Sequence, residues 1–506
     1  MSFIKYKKPI LVAIVLIITL LTFFGHFFNL SYEKPVNDEL EFLALAYNSL
    51  KYGTYDDTYK EITSPDYSRE PIYPLILMIG MLLHPGINLS TQDAKCIIFG
   101  EGECIEIIIY LKIINIIFLI ATALLSSYIV YRYTRNVFVS GICFFLISLS
   151  GSLTKEYNEF LSEVPSAFLI TLVSVLLCNL AVRRYSHRLA FIFGLFLGAL
   201  VLIKAIFFYF VFLCSFFLFI WWLNRGFGIK QSVKQVILIV LGAYILIGPW
   251  QVRNYIQLGT FSITERSGIV LLSRAYYNVM LFEDYYASIL YFARDIRWVE
   301  KKFETSFDAT VYEKLNPTNL IQYNLDVYKH ANKIRAELDL SAQETSDFLL
   351  KEAKQKILAN FGKHLAMVVP FAIRGSFFER GYGFYQRDTH HETIGIKKVG
   401  FDISKYFIAL KALPNVIFVS VFFGTILLSF FFRRWDLIWF LFPGAYSFGM
   451  HAFFTHFIPR YSESLIPIFV ICSCIALWET YLILKTYFIK LISFKITENV
   501  LGKTAI

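Results

Sequence analysis

The sequence predicts an all-α polytopic membrane protein with about ten transmembrane helices and outer-face loops that contain interfacial helices. Three observations carry this. Of 506 residues, 57% are hydrophobic and 17% charged, far from the balance of a chain that folds in water. The apolar residues, 52 Phe among them, come in long unbroken runs rather than at the spacing of a half-buried helix or strand. Lys and Arg gather in alternate connections between those runs, the asymmetry that sets orientation in a bilayer.

A helix needs about 20 apolar residues to cross the hydrocarbon core, because it rises only ~1.5 Å per residue and must satisfy its own backbone. Such runs lie near 9–30, 105–131, 137–154, 163–182, 188–204, 205–223, 234–250, 403–432, 435–456 and 461–484. The first follows Lys5, Lys7 and Lys8 as a secretory signal would. It is too long for a signal core and has no small-residue cleavage site before Ser31, so an uncleaved helix is expected. Arg132 and Arg135, then Arg183, Arg184 and Arg188, then Arg225, Lys230 and Lys234, fall on one side. Arg433, Arg434 and the tail with Lys485, Lys490, Lys495 and Lys503 keep the same phase, so this side and both ends are expected to be cytoplasmic. The net charge of +10 is thereby an orientation signal. No Gly-rich phosphate loop, zinc-finger spacing or RNP-like stretch occurs, and no nucleic-acid partner is expected.

The chain divides into a module at 1–250, whose first outer loop is 31–104, a large outer loop at 251–402, and a C-terminal membrane module at 403–506. Within the first loop, 71–85 is an apolar stretch opened by Pro71 and Pro74 and closed by Pro85, too short to span and suited to an interfacial or re-entrant helix. In the large loop, Ser341 and Glu344 form a capping-box pattern. Phe348, Leu349, Ala353, Ile357, Leu358 and Phe361 follow on one face, which continues into 365–373 as a segment lying on the membrane. Cys143, Cys178, Cys214, Cys472 and Cys474 fall in spans, where a thiol acts as a small apolar group. Cys96 and Cys104, close in the first loop, are compatible with a disulfide or with free thiols.

Candidate chemistry gathers at the outer face. Asp38 and Glu39 follow the first span, with Glu41 behind them. Adjacent carboxylates there can orient a hydroxyl or take its proton, and they equally suit the N-terminus of a helix running from about Phe42 to Leu50. Glu156, Glu159 and Glu163 lie before the fourth span, open to ion binding or to capping. Arg69, Arg253 and Arg460 fit phosphate oxygens or serve as interfacial anchors, and Lys112 and Lys204 share that ambiguity. His390, His391, His451 and His456 lack metal-ligand spacing and read as structural or solvated; no metal-ligating residue is assigned.

In order along the chain, Asp38-Glu39, Ala44 to Tyr47, Lys51-Tyr52-Gly53-Thr54-Tyr55 and Ser68 to Pro74 with Tyr73 resemble the first outer loop of the GT-C glycosyltransferases related to protein O-mannosyltransferases and aminoarabinose transferases. Ser162-Glu163-Val164-Pro165, Pro249 to Asn254 with Arg253, Leu258 to Phe261, Ala353 to Asn360, and Pro459-Arg460-Tyr461 with Pro467 continue the resemblance across about 38–467. Glu70 stands where a proline is usual and Phe361 where an Asn-Pro pair is common. The resemblance implies transfer of a sugar, with inversion, from a polyprenyl-phosphate-linked donor to a glycan, lipid or protein acceptor at the outer face of the membrane. Asp38 and Glu39 are then the catalytic candidates, and Arg69, Tyr73, Glu163, Arg253, Arg460 and Tyr461 the substrate-binding ones. Membrane lipid and the lipid-linked donor are the implied partners; a divalent metal is used by some relatives and not others. A lipid or sugar transporter and a glycan polymerase are the rival readings, the first opposed by the scarcity of charge within the spans. Heavy use of Phe, Ile and Lys points to a bacterial inner membrane with the site on the periplasmic or extracellular side.

Overall fold

The computed structural model describes residues 3–30, 34–58, 65–90, 92–182, 186–279, 326–376 and 415–503, with Tyr285, Ser288 and Ile289. The chain is an all-α polytopic membrane protein. Six described helices are long and apolar enough to cross a membrane, and four shorter apolar ones, Val12–Phe27, Val137–Ser148, His187–Val201 and Ile417–Phe431, coincide with predicted spans. A fifth, Ile72–Leu83, is the short helix expected in the first loop. His390, His391 and residues 403–414 at the start of the eighth predicted span lie outside the described residues.

In chain order the helices are α1 (Phe3–Phe27), α2 (Asp38–Tyr52), α3 (Ile72–Leu83), α4 (Ala94–Phe99), α5 (Ile105–Thr134), α6 (Val137–Ser148), α7 (Gly151–Asn158), α8 (Glu163–Val182), α9 (His187–Val201), α10 (Phe208–Asn224) and α11 (Ile229–Leu258). Then come α12 (Arg266–Tyr276), α13 (Val327–Leu338), α14 (Ala342–Ala359), α15 (Phe361–Ala366), α16 (Val368–Gly375), α17 (Asn415–Phe431), α18 (Trp435–Phe454), α19 (Arg460–Glu463) and α20 (Ile466–Lys503).

Several boundaries differ from the sequence reading, and three of them bear on the site or its supports. The expected 137–154 helix breaks after Ser148 and resumes as α7, where Ser148, Ser150, Gly151 and Ser152 offer poor helix propensity. α11 runs through Pro249 to Leu258, carrying Arg253 and Asn254 on its last turns. The expected start of the last span at Tyr461 belongs instead to the short α19, and the long helix begins at Ile466.

α9 and α11 are in backbone contact, because Gly194 and Gly198 recur at the four-residue spacing that lets helices approach closely in lipid. A Cβ on Gly194 would lie 2.2 Å from the Ile239 carbonyl oxygen, and one on Gly198 2.5 Å from that of Ala243. The basic connections meet at one end of the bundle. There Trp221 packs on Trp435 at 5.0 Å, and Arg225 donates to the carbonyls of Ala181 and Val182 at 3.3 and 3.1 Å.

The remaining short helices crowd the opposite end. α3 turns Tyr73, Leu77 and Met81 inward and leaves Leu75, Ile79, Leu82 and Leu83 exposed, the division of a helix lying in an apolar interface. Cys96 and Cys104 are joined by a disulfide that clips α4 to the start of α5. Ser341 and Glu344 form the predicted capping box of α14. On α14 only Leu349 and Ala353 of the predicted apolar face are buried, against Leu272 of α12 and Ala331 and Ile334 of α13, a small core separate from the membrane bundle. Phe348, Leu358 and Phe361 stay exposed.

Candidate functional site

α2 begins at Asp38, directly after Asn37, which adopts a φ of 52°, a conformation that Asn tolerates better than most side chains. Its first turn therefore sets Asp38, Glu39 and Glu41 near a helix N-terminus, where anionic charge is favoured. Arg69 comes from the segment before α3. One Asp38 oxygen meets Arg69 Nη2 at 2.6 Å, and the other accepts from Arg460 Nη2 at 2.8 Å. Arg69 Nε donates to Glu41 at 2.6 Å, and Glu41 also meets Arg266 at 3.2 Å. On the other side Arg460 Nε faces Glu163 at 3.3 Å, and Glu163 pairs with Lys204 at 3.1 Å. Alternating charges thus run unbroken from Arg266 through Glu41, Arg69, Asp38, Arg460 and Glu163 to Lys204.

Access divides this chain. The side chains of Arg69 and Glu163 are 6% and 2% exposed, whereas Asp38 and Arg460 keep 29% and 30%. The Asp38–Arg460 pair at its centre is therefore partly accessible. Burial pushes the Asp38 carboxyl upward, but the guanidinium groups of Arg69 and Arg460 outweigh it and hold the group well below the usual carboxylate range. Arg69 and Arg460 are both raised, their desolvation overcome by the facing carboxylates. His456 is lowered to about 3, first by burial and then by Arg374 and Arg460, so the imidazole beside this cluster is neutral.

The other expected residues surround the pair without entering it. Glu39 is buried, with an oxygen accepting from the Phe160 amide at 3.3 Å, which ties α2 to the α7–α8 connection. Tyr73 is buried against Phe42, its hydroxyl bonded to Asn115. Tyr461 stacks on His451 with ring centroids 4.8 Å apart. Arg253 turns to the first loop, donating to the carbonyls of Asp66 and Tyr55 at 2.5 and 3.3 Å and lying over Trp250. Glu70, where a proline is usual, accepts from the Ala205 amide at 3.0 Å. That contact docks the first loop on the α9–α10 connection and brings Lys204 to the cluster.

Sequence reading passed over Arg266 and gave Glu41 no role. Nothing local marks Arg266, because its partner is 225 positions away. Among the described residues no group of three or more His, Cys, Asp or Glu side chains is arranged to hold a metal ion. Both Asp38 oxygens are taken by guanidinium groups, so the donor set at Asp38 does not suit one.

No protein-family model matches the chain, and no curated protein matches it. Among solved structures it is similar to the archaeal oligosaccharyltransferase AglB from Archaeoglobus fulgidus, solved in complex with an inhibitory peptide and a dolichol-phosphate. Sequence identity is 15% and the TM-score 0.46, over 98% of this chain and 52% of that one. The chain spans about half the length of that protein. A likeness at this level fixes neither family nor reaction, and the reaction is argued from the site.

Proposed function

We propose that the protein is a glycosyltransferase of the GT-C type, which moves a sugar from a polyprenyl-phosphate-linked donor to an acceptor hydroxyl of a glycan, lipid or protein at the outer membrane face. The observation that carries this reading is the partly accessible pair at the end of the bundle opposite the basic connections: a carboxylate and a guanidinium 2.8 Å apart, each held from behind by a sealed partner. Arg460 offers its planar fork to the donor phosphate, and Asp38 accepts the acceptor's proton. The acceptor oxygen bonds to the anomeric carbon as the bond from that carbon to the phosphate oxygen breaks. Polyprenyl phosphate departs with the electron pair, its charge met by Arg460, and attack opposite the leaving group inverts the anomeric centre.

The same geometry couples donor binding to basicity. With both guanidiniums engaged, Asp38 is a weak base. A phosphate on Arg460 shares that positive charge, and Asp38 becomes more basic when the donor is in place. In this reading Arg69 and Glu163 position the pair, Glu39 and Tyr73 brace α2 and α3, Arg253 holds the first loop, and Tyr461 orients α19. The exposed apolar face of α3 borders the lipid tail.

The test is release of labelled sugar from polyprenyl-phosphate-sugars by the purified chain in nanodiscs. Wild type turns over a donor, and Asp38→Asn loses about 10²–10⁴-fold, the usual worth of a positioned proton acceptor, with unchanged yield and melting. Absence of turnover by wild type across donors of several sugars sinks the reading.

A further inference from the structure

A second feature lies on the far side of Glu41 from Asp38. The first loop, α12, α13 and the start of α14 enclose a cavity of about 220 Å³ lined by Asp57, Glu265, Arg266, Tyr328, Asn332 and Arg335, with Glu41 and Thr345 at its edge. Its walls are pinned together. Thr264 donates to the Ser68 carbonyl at 3.1 Å, Ser346 to the Glu265 carbonyl at 2.7 Å, and Tyr67 is hydrogen bonded to Gln343. Through Glu41 and Arg69 the cavity is two ion pairs from Asp38.

Its chemistry is unlike that of the phosphate end. Arg266 is already matched by Glu41 at 3.2 Å, and the acids Asp57 and Glu265 offset the remaining guanidinium of Arg335, so no uncompensated positive charge awaits an anion. Burial and facing carboxylates push Asp57 up to about 6 and Glu265 to about 7. Near neutral pH Asp57 is mainly ionised and balances Arg335, while Glu265 is protonated about half the time and can donate as well as accept hydrogen bonds, as the Asn332 amide does. Tyr328, Ile269 and Leu349 add apolar surface. Donors and acceptors beside apolar surface in one cavity fit a neutral polyhydroxyl ligand. The volume is below the ~300–1,000 Å³ of sites for drug-sized ligands, enough for about one sugar ring.

We propose that this cavity is the acceptor subsite and that it takes the terminal neutral sugar of a glycan acceptor; the assignment as acceptor rests on the transfer reading above. The test uses the full chain in nanodiscs and saturation-transfer NMR with methyl glycosides of neutral hexoses and short neutral oligosaccharides. Wild type is expected to bind at least one of them. Asn332→Leu and, separately, Tyr328→Phe are expected to weaken it on the order of tenfold, as loss of one hydrogen bond implies. Asn332 is exposed, so its replacement leaves the fold intact, which an unchanged melting curve verifies. No saturation transfer to any neutral sugar, equal binding by the variants, or displacement of the sugar by inorganic phosphate each overturns the proposal. Donor turnover is read separately: sugar binding without turnover keeps the cavity and removes the reaction, whereas turnover insensitive to both variants at limiting acceptor removes the cavity and keeps the reaction.

Discussion

Arg460 is the residue on which most of the site's electrostatics converge, since it bridges two carboxylates from different elements, Asp38 of α2 and Glu163 of α8. Arg460→Lys keeps the charge but loses the fork, so it can face one carboxylate and not two. Its expected result is a fall of roughly 10–100-fold in kcat/KM for the donor, about 1.4–2.8 kcal/mol, with Asp38 drifting upward in the pH–rate profile. An unaltered profile would mean that Arg460 does not hold Asp38 low. A second effect belongs to Asp57 and Glu265. Their unfolded values lie near 4, and their folded values at about 6 and about 7. Between these the folded chain binds more protons than the unfolded one, so stability is greatest in acid and declines as pH rises from about 4 to about 7. Asp57→Asn cannot ionise and removes its part of that decline. Melting at pH 5 and pH 8 reads it: the drop is expected to be smaller in the variant, by roughly 2 °C. Asp38, Arg69, Glu163 and Arg460 were legible because carboxylates and guanidiniums flanking apolar runs stand out in such a sequence. Their pairing was not, nor was the turn of Arg253 to the Asp66 and Tyr55 carbonyls, since partners hundreds of positions apart leave no local pattern.

At the level of elements, apolar length gave nearly every span, and the failures fall where length is uninformative. The 148–152 stretch is apolar enough to continue a helix yet rich in Ser and Gly, and Pro249 reads as a stop although α11 absorbs it. The α9–α11 contact is the element on which the bundle is most sensitive. α9 has 15 residues and reaches α11 through Gly194 and Gly198, with no room for a Cβ against backbone carbonyls. Gly198→Leu must push the helices apart, and overpacking of that kind costs about 1–3 kcal/mol or more. The expected outcome is lower yield of folded protein and a lower melting temperature, while Gly141→Leu, at a glycine with open space around it, leaves both unchanged. Equal behaviour of the two would show that the close approach is not needed. α14 is the element most clearly announced by sequence, through its capping box. Ser341→Ala should cost about 1 kcal/mol and speed hydrogen exchange at the Glu344 and Thr345 amides, beside the proposed acceptor cavity.

For the whole molecule, charge and site are sorted to opposite ends. The connections after α5, α10 and α17 carry Arg135, Arg225, Arg433 and Arg434, whereas Asp38, Glu163, Lys204 and Arg460 lie at the connections that precede α2, α8, α10 and α19. In the orientation we propose, the preference of basic loops for the cytoplasm makes the arginine-bearing end the inner side. The Cys96–Cys104 bond fits that orientation, since it would then face an oxidising compartment. Insertion and redox chemistry thus both favour the proposed orientation. It is tested by single cysteines in a chain whose other free thiols are replaced, at Lys34 beside α2 and at Arg434 between α17 and α18. Both positions are well exposed, Lys34 with 63% and Arg434 with 40% of its side chain accessible. A membrane-impermeant maleimide applied to intact cells, with any outer membrane permeabilised, should label Lys34→Cys and leave Arg434→Cys unreacted until the inner membrane is opened. The reverse pattern would put Asp38 and Arg460 in the cytoplasm, where a donor carried on the outer leaflet could not reach them, and would overturn the outer-face reaction together with the orientation.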